Sequence, residues 1–94
     1  MPLVQICLAH HPNLVVTSTG HSDGDKVELR YDINGPNQIW NMKEDDGWCT
    51  FRHSQHDSKC LDFNEKHNTL QIWRHKLVGN KNQKWKVIRD AQGS

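Results

Sequence analysis

The sequence lacks an excess of charge of either sign, because 12 Lys and Arg residues are balanced by 11 Asp and Glu residues. The lysines are scattered, and the aromatic residues do not alternate with them as a platform for single-stranded nucleic acid would require. We therefore predict no nucleic-acid partner. The chain also lacks any run of roughly 20 apolar residues, so no membrane insertion is predicted.

Cysteines are few and odd in number. Cys7, Cys49 and Cys60 have no short metal-type spacing, which indicates reduced, mostly buried thiols. The first residues lack the basic region and the long apolar run of a signal peptide. These observations favour a cytoplasmic protein, although the mature form of a secreted protein stays open.

The patterns of metal sites and catalytic sites are also missing. The seven histidines lie mostly in predicted loops, without the clustered Cys, His and Asp ligands that zinc needs. No serine lies on a strand-to-helix elbow with an ordered His and Asp. Asp62 has no obvious acid partner for glycoside hydrolysis. We predict no metal, no cofactor and no enzymatic activity.

The chain does contain a series of short alternating segments without helical periodicity. Apolar residues recur at every second position between turn signals such as Asn34-Gly35-Pro36. This pattern predicts one all-β domain over residues 1–94, with strands at residues 3–8, 14–17, 26–31, 38–42, 48–51, 59–63, 69–73 and 83–88. Within the third strand, Val27 and Leu29 are predicted to face the core.

The two halves of the chain form an internal repeat. The segment Asn37-Gln38-Ile39-Trp40 matches Asn82-Gln83-Lys84-Trp85 at a spacing of 45 residues. The predicted repeats are residues 3–43 and 47–89. Repeats of this length usually describe a unit that buries its apolar face only against its copies.

One stretch of the second half, residues 59–85, has an unusual outward face. Strand alternation predicts that four apolar residues lie on the inner face, namely Leu61, Phe63, Leu70 and Ile72. The same alternation puts Asp62, Gln71 and Trp73 on the opposite face, towards solvent. A carboxylate, an amide and an indole side by side suit a polar ligand with an apolar face, such as a sugar.

These residues resemble those of the ricin B-chain-like (R-type) lectins, whose hallmark is a Gln-x-Trp at the end of each of three repeats in a β-trefoil. The matching motifs are Cys60-Leu61-Asp62-Phe63, Leu70-Gln71-Ile72-Trp73 and Asn82-Gln83-Lys84-Trp85. The resemblance covers residues 3–89 and implies a β-trefoil-like fold of two four-stranded repeats. Many relatives have a cysteine at the position of His75, bridged to the one at Cys60; here that disulfide cannot form, which also favours a cytoplasmic protein.

The resemblance further implies a sugar site in the second repeat. Asp62 would accept hydrogen bonds from two adjacent sugar hydroxyls, and Trp73 would stack on the C–H face of the ring. Asn82 would donate to a neighbouring hydroxyl, while Gln71 and Gln83 would orient these groups or reach the sugar. Gln83 is predicted to face inward, which favours a buried scaffold role over direct contact. In this family such a site usually selects galactose or N-acetylgalactosamine.

The first repeat keeps the scaffold motif but not the site. Its replacements for the acid, the amide and the indole are, allowing for gaps, Val15 or Val16, Glu28 and Arg30. With either valine at the position of the acid, these replacements do not provide a carboxylate beside a stacking ring. We therefore predict one competent site per chain.

The third repeat of a trefoil is missing, and two repeats alone leave apolar faces and strand edges unpaired. Three resolutions stay open: oligomerisation, a compact variant that closes on two units, or a fragment of a larger protein. We predict a homo-oligomer, most simply a two-fold dimer, which would make a multivalent lectin. The alternative function is a non-catalytic protein-binding or structural module, resembling a protease inhibitor or an assembly domain, that recognises its partner through residues 18–25 or 77–81.

Overall fold

The computed structural model describes residues 2–88. In chain order the strands are β1 Leu3–Val4, β2 Cys7–Leu8, β3 His11–Ser18, β4 Val27–Tyr31, β5 Trp40–Asp45, β6 Trp48–His53, β7 His56–Asn64 and β8 Thr69–Arg74. Two short 3₁₀ turns, at Pro36–Gln38 and Lys81–Gln83, follow β4 and β8. The described residues contain no α-helix, and the prediction of an all-β fold is confirmed.

The strands form two antiparallel sheets, with the orders β1-β5-β6-β7-β8 and β2-β3-β4. The β5–β6 hairpin connects the first repeat to the second, because β6 also pairs with β7. The buried core consists of Val27, Trp40, Cys49, Phe51, Leu61 and Ile72. Since these side chains come from both halves, neither half buries its apolar face alone.

The 45-residue spacing recurs in the strand register. Cys7 pairs with Val15 in the first repeat, and Arg52 pairs with Cys60 at the corresponding place in the second. The two 3₁₀ turns also begin 45 residues apart. Positions of one repeat therefore have structural counterparts in the other.

Each Gln-x-Trp motif holds its own repeat in the same way. The indole Nε1 of Trp40 donates to the carbonyl of Val16 at 3.2 Å, and that of Trp85 donates to the carbonyl of Leu61 at 3.1 Å. A buried indole N–H needs such a partner, so the two tryptophans fix where the motif docks on the sheet.

Two of the strand predictions are wrong. Residues 3–8 are interrupted between β1 and β2, and residues 83–88 form the end of a 3₁₀ turn followed by a single bridge from Trp85 to Cys49. The counterpart of this last segment in the first repeat is β5, which is paired along its length with β6, the beginning of the next repeat. The described part of the chain offers no next repeat, so the backbone of residues 86–88 forms no strand.

The inward placement predicted for Leu29 is also wrong, since this side chain is 46% exposed. Its counterpart by register is Ile72, which is fully buried. Ile72 is covered because the preceding repeat supplies a loop: the N–H of Gly24 donates to the Ile72 carbonyl, and the Ile72 N–H donates to the carbonyl of Asp25. Among the described residues no loop of another repeat covers Leu29 in this way.

A buried histidine lies at the junction of the repeats. The Nδ1 of His53 accepts the Gln55 backbone N–H at 3.1 Å, so its Nε2 carries the hydrogen that it donates to Oδ1 of Asn37 at 2.8 Å. Burial, assisted by the neighbouring rings of His56 and His21, lowers the pKa of His53 to about 4. The junction is therefore built for the neutral imidazole.

We expect the free energy of unfolding to fall as the pH is lowered from about 6.5 towards about 4. Between these two pH values His53 is protonated in the unfolded state but still neutral in the folded state, because its pKa is lower in the folded state. Acid therefore favours unfolding. Urea denaturation at several pH values measures the effect. The variant His53→Gln, which keeps an amide donor for Asn37, should show a shallower dependence; identical slopes in both proteins would contradict the assignment.

Candidate functional site

The carboxylate of Asp62 lies at the centre of the site predicted from the sequence. Its Oδ1 accepts from Nε2 of Gln71 at 3.0 Å and from Nδ2 of Asn82 at 3.1 Å. Its Oδ2 accepts from Nε2 of Gln83 at 2.9 Å and from the same Asn82 amide at 3.3 Å. Asp62 is fully buried, so the prediction that it faces solvent is wrong. It does lie opposite the core, but the 3₁₀ turn Lys81–Gln83 covers that face of β7.

Gln71 is positioned by the sheet itself. It is directly opposite Asp62 in the β7–β8 ladder, which brings the amide and the carboxylate together across the strands. The Oε1 of Gln71 accepts from Nδ2 of Asn64 at 3.2 Å, so its Nε2 is directed at Asp62. The amide is held from both ends.

The 3₁₀ turn supplies Asn82 and Gln83 from far along the chain. Asn82 is partly exposed and also donates to the Phe63 carbonyl at 3.2 Å. Gln83 is fully buried; its Nε2 donates to the carbonyl of Arg74 at 2.8 Å and its Oε1 accepts the N–H of Lys76 at 3.0 Å. The structure therefore places Gln83 behind the site, as a support for Asp62, and Asn82 at its surface.

An open cavity of about 400 Å³ lies in front of these groups. Four of the five predicted residues line it, namely Asp62, Gln71, Trp73 and Asn82. The remaining wall was missed by sequence reasoning and consists of Phe63, Asn64, Glu65 and Lys76. Lys76 is held through its backbone N–H by Gln83, a contact that its own side chain does not signal in the sequence. Asn64 ends β7 and Glu65 follows in an ordinary turn, so neither carries a motif. The cavity is of the size that holds a monosaccharide.

Trp73 is half-buried and is supported by a loop of the first repeat. The residues on both sides of it are bonded to that loop, since the N–H of Gly24 donates to the Ile72 carbonyl at 2.7 Å and the Arg74 N–H donates to Oδ1 of Asp23 at 2.8 Å. Gly24 has a φ of +92°, which favours glycine, and a Cβ built there would lie 3.9 Å from Cζ3 of Trp73. The first repeat thus forms a backing for the indole.

Asp23 is the anchor of this loop. Besides the Arg74 N–H, its Oδ1 accepts from Nζ of Lys59 at 2.8 Å, and Nε of Arg74 lies 3.8 Å from its Oδ2. The hydrogen bond from Lys59, together with the Arg74 contacts, lowers the pKa of Asp23 below its ordinary value. One carboxylate therefore joins the loop to both β7 and β8.

Between residues 2 and 88 no group of three His, Cys, Asp or Glu side chains could hold a metal ion. Within the same range no helix is long and apolar enough to cross a membrane.

The family model of the ricin-type beta-trefoil lectin domain matches residues 4–93. The chain belongs to this family. Membership supports a carbohydrate-binding role for this ricin-type domain, which agrees with the carboxylate, amides and indole that line one cavity. Among curated individual proteins no match was found.

Two solved structures share the fold. A mosquitocidal holotoxin is 22% identical with a TM-score of 0.87, and the match covers 98% of this chain and 12% of the toxin chain. The designed 3-fold symmetric protein ThreeFoil is 20% identical with a TM-score of 0.77, and the match covers 97% of this chain and 67% of ThreeFoil. The chain thus spans a small part of the toxin's length and two thirds of a symmetric trefoil, and these matches confirm the prediction of a trefoil-like fold.

The first repeat of this ricin-type domain has a different set at the corresponding place. Thr17, rather than the predicted Val15 or Val16, is the counterpart of Asp62, because Gln38 bonds its Oγ1 at 3.2 Å as Gln83 bonds the carboxylate. The counterparts of the amide and the indole are Glu28 and Arg30, as predicted, and these two form an ion pair with each other at 2.6 Å. Without an acid and a ring, the repeat keeps only the scaffold.

Removal of the loop anchor should weaken sugar binding without unfolding the domain. In Asp23→Ala the loop loses hydrogen bonds worth about 1 kcal/mol, so the backing of Trp73 loosens and the affinity for a sugar ligand should fall roughly five-fold. Titration calorimetry measures this change. Asp57→Ala is the matched control, because Asp57 also bonds two cationic side chains, Lys43 and Arg52, but lies outside the cavity. Equal affinities of the two variants would contradict the role of the loop.

Proposed function

We propose that this ricin-type domain is a galactose-type lectin, which takes a terminal galactose or N-acetylgalactosamine in the cavity of Asp62, Gln71, Trp73 and Asn82. The observation that carries the proposal is that a carboxylate, two amides and an indole from β7, β8 and a distant 3₁₀ turn line one open cavity. A sugar needs both kinds of group, since its hydroxyls require hydrogen-bond partners and its C–H face requires an apolar surface.

The half-exposed ring of Trp73 favours galactose over glucose. In galactose the axial 4-hydroxyl leaves the hydrogens of C3, C4 and C5 on one face, which forms a continuous apolar patch for an indole. The same axial hydroxyl is close to the 3-hydroxyl, so both can donate to one carboxylate. Stacking on Trp73 and donation to Asp62 are therefore compatible in one pose.

Binding would proceed by exchange of hydrogen bonds at Asp62. The free carboxylate is already saturated by amide donors, and its two longest bonds, at 3.1 and 3.3 Å, both come from the bifurcated Nδ2 of Asn82. Rotation of Asn82 would free carboxylate lone pairs for two sugar hydroxyls and present its amide to one of them. Because bonds are exchanged rather than added, the net gain is modest.

A site of this kind typically gives dissociation constants around a millimolar or somewhat tighter, about −4 to −6 kcal/mol. Retention on a glycan surface then requires several sites on one particle. The homo-oligomer predicted from the sequence, most simply a two-fold dimer, would supply them and stays a prediction; its check is a solution mass of twice the 11.0 kDa of one chain. The three cysteines are free, which supports the further proposal of a reducing, cytoplasmic setting.

Loss of the stacking ring should weaken sugar binding by at least about ten-fold, because it removes roughly 1.5 kcal/mol of apolar burial. We expect this for Trp73→Ala, and no detectable binding for Asp62→Ala, as measured by galactose titration followed by NMR. Trp48→Ala is the control, since Trp48 is exposed and lies outside the cavity. Circular dichroism establishes folding for each variant. Unchanged affinity in both folded variants would refute the site.

The alternative, a non-catalytic protein-binding or assembly module, would use loops instead of the cavity. Of its two candidate loops, residues 18–25 are engaged with β8 through Gly24 and Asp25, which leaves residues 77–81 with the exposed Leu77 and Val78. A glycan array separates the two functions: binding to galactose-terminated glycans is expected of the lectin, and no glycan bound over several sugar classes favours the alternative. Neither function includes catalysis.

A further inference from the structure

A second cavity, of about 240 Å³, lies between the β5–β6 hairpin and the segment that follows β8. It is close to the cavity of Asp62, because His75 lines the second cavity and the next residue, Lys76, lines the first. No residue lines both cavities. The second cavity is therefore a separate surface on the same side of residues 74–76 as the hairpin.

The floor of the second cavity is one face of the β5–β6 hairpin. Trp48 is opposite Asp45 in the antiparallel ladder, and Thr50 is opposite Lys43. Because strand side chains alternate with a period of two, these four side chains and Arg52 lie on the same face. Trp48 is 43% exposed. An accessible indole, a hydroxyl and two cationic side chains thus line one surface.

The opposite wall consists of His75, Asn80 and Lys84. The Nδ2 of Asn80 donates to the Lys76 carbonyl at 3.2 Å, which holds the amide beside the cavity. Lys84 is the variable middle residue of the second Gln-x-Trp motif, and it is exposed whereas the preceding Gln83 is buried. This wall therefore adds a further cation and an amide to the floor.

Positive charge at the floor is only partly neutralised. Nζ of Lys43 and Nη1 of Arg52 share one carboxylate oxygen of Asp57, at 2.9 and 3.4 Å. Nη2 of Arg52 lies 3.4 Å from Nε2 of His75, and its buried Nε has no hydrogen-bond partner within the described residues. Burial, together with the Arg52 and Lys43 cations, lowers the pKa of His75 below its ordinary value. Since Asp57 offsets one charge of two, the cavity favours an anion.

Three lysines surround the exposed indole of Trp48. Lys81 and Lys84 line an adjoining surface together with Trp48, and Nζ of Lys86 lies 5.5 Å from the centroid of the indole ring. Between residues 2 and 88 none of these lysines forms an ion pair. The apolar surface at the edge of the cavity is thus accompanied by cations that have no acidic partner in the described part of the chain.

Two acids also line the second cavity, Glu44 and Asp45. Glu44 is opposite Cys49 in the ladder, so strand alternation directs its side chain away from the face of Lys43. Asp45 is exposed and lies beside the indole of Trp48, where its carboxylate can accept hydrogen bonds from hydroxyls. The cavity therefore suits a ligand that combines an anionic group, hydroxyls and an apolar face.

We propose that the second cavity binds an acidic sugar residue, which is a sugar ring that carries a carboxylate or a sulfate. The anionic group lies among Lys43, Arg52 and Lys84, where it forms charge-assisted hydrogen bonds. The apolar face of the ring packs on Trp48, and Asn80 bonds a hydroxyl. The choice of a sugar over other anions rests on the proposed lectin function, whereas the preference for negative charge rests on the cavity itself.

The test titrates the full chain with monosaccharides that differ in charge and follows the indole N–H signals by NMR. Methyl glucuronide and glucose 6-sulfate are the acidic probes, and methyl glucoside is the neutral control. We expect at least one acid to bind with a dissociation constant on the order of a millimolar and to shift the signal of Trp48 rather than that of Trp73. Binding should weaken about ten-fold at high salt, because salt screens the charges. Binding of the glucuronide identifies carboxylated glycans as the source, and binding of the sulfate identifies sulfated ones.

Variants of the full chain should change the affinity for the acid in opposite directions. Lys84→Glu introduces repulsion and Trp48→Ala removes the ring, so each should weaken binding at least about ten-fold. Asp57→Asn should strengthen it roughly three-fold, because Lys43 and Arg52 lose the carboxylate that they share.

Lys66→Glu is the matched control for Lys84→Glu. Lys66 is exposed and lines neither cavity, so the same change of charge there should leave the affinity for the acid unchanged. Circular dichroism establishes folding for every variant.

Several results would overturn the proposal. The first is that neither acid binds, or that methyl glucoside binds as tightly as the acids. Another is inorganic sulfate that binds as tightly as the acidic sugars, which would show an adventitious ion only. Equal weakening by Lys84→Glu and Lys66→Glu would show a general effect of net charge. Galactose titration of the same samples reports on the cavity of Asp62, so failure of the acidic probes with galactose binding intact leaves the proposed function standing.

Discussion

The buried amide of Gln83 is the contact on which the site depends. It bonds the Asp62 carboxylate, the Arg74 carbonyl and the Lys76 N–H, so one side chain joins β7, the end of β8 and the segment that follows. Without it, a buried carboxylate and two backbone groups would lose partners at the same time, which is costly inside a protein. Gln38 makes the corresponding bonds in the first repeat, to Thr17, the Tyr31 carbonyl and the Ile33 N–H, although that repeat lacks the acid and the indole. The Gln-x-Trp motif is therefore a structural element first, and it becomes a binding element only where an acid accompanies it.

The sequence motifs predict which residues form the scaffold and the candidate site, but they do not predict which other segments bury those residues. The period of two correctly places Asp62 on the face of β7 opposite to Leu61, but it contains no information about a 3₁₀ turn about 20 residues further on that buries the face. The counterpart of Asp62 was misplaced by one or two residues because Thr17 carries no charge to mark it. The fold class could be predicted, and four of the five proposed site residues line one cavity, because both depend on short motifs; burial depends on distant segments.

The outer ends of the chain show how strongly these strands depend on their neighbours. Residues 85–88 have the alternating pattern of a strand and do not form one, and Leu29 has the position of a core residue and is exposed. In both places the apolar positions match those of the well-ordered counterpart, since Trp85 and Val87 correspond to Trp40 and Met42 and Leu29 corresponds to Ile72, so the hydrophobic pattern is not at fault. What differs is the presence of an adjacent repeat, which supplies the ladder partner or the covering loop.

The loop that backs Trp73 belongs to the first repeat, which has no acid and ring of its own at the corresponding place. Asp23 and Gly24 are in the first repeat, yet they hold the indole of the second. The cavity is thus the joint product of two consecutive repeats, and a single repeat could not form it alone. A substitution in this short loop therefore acts on the cavity of the second repeat, although the first repeat has no acid and ring of its own at the corresponding place.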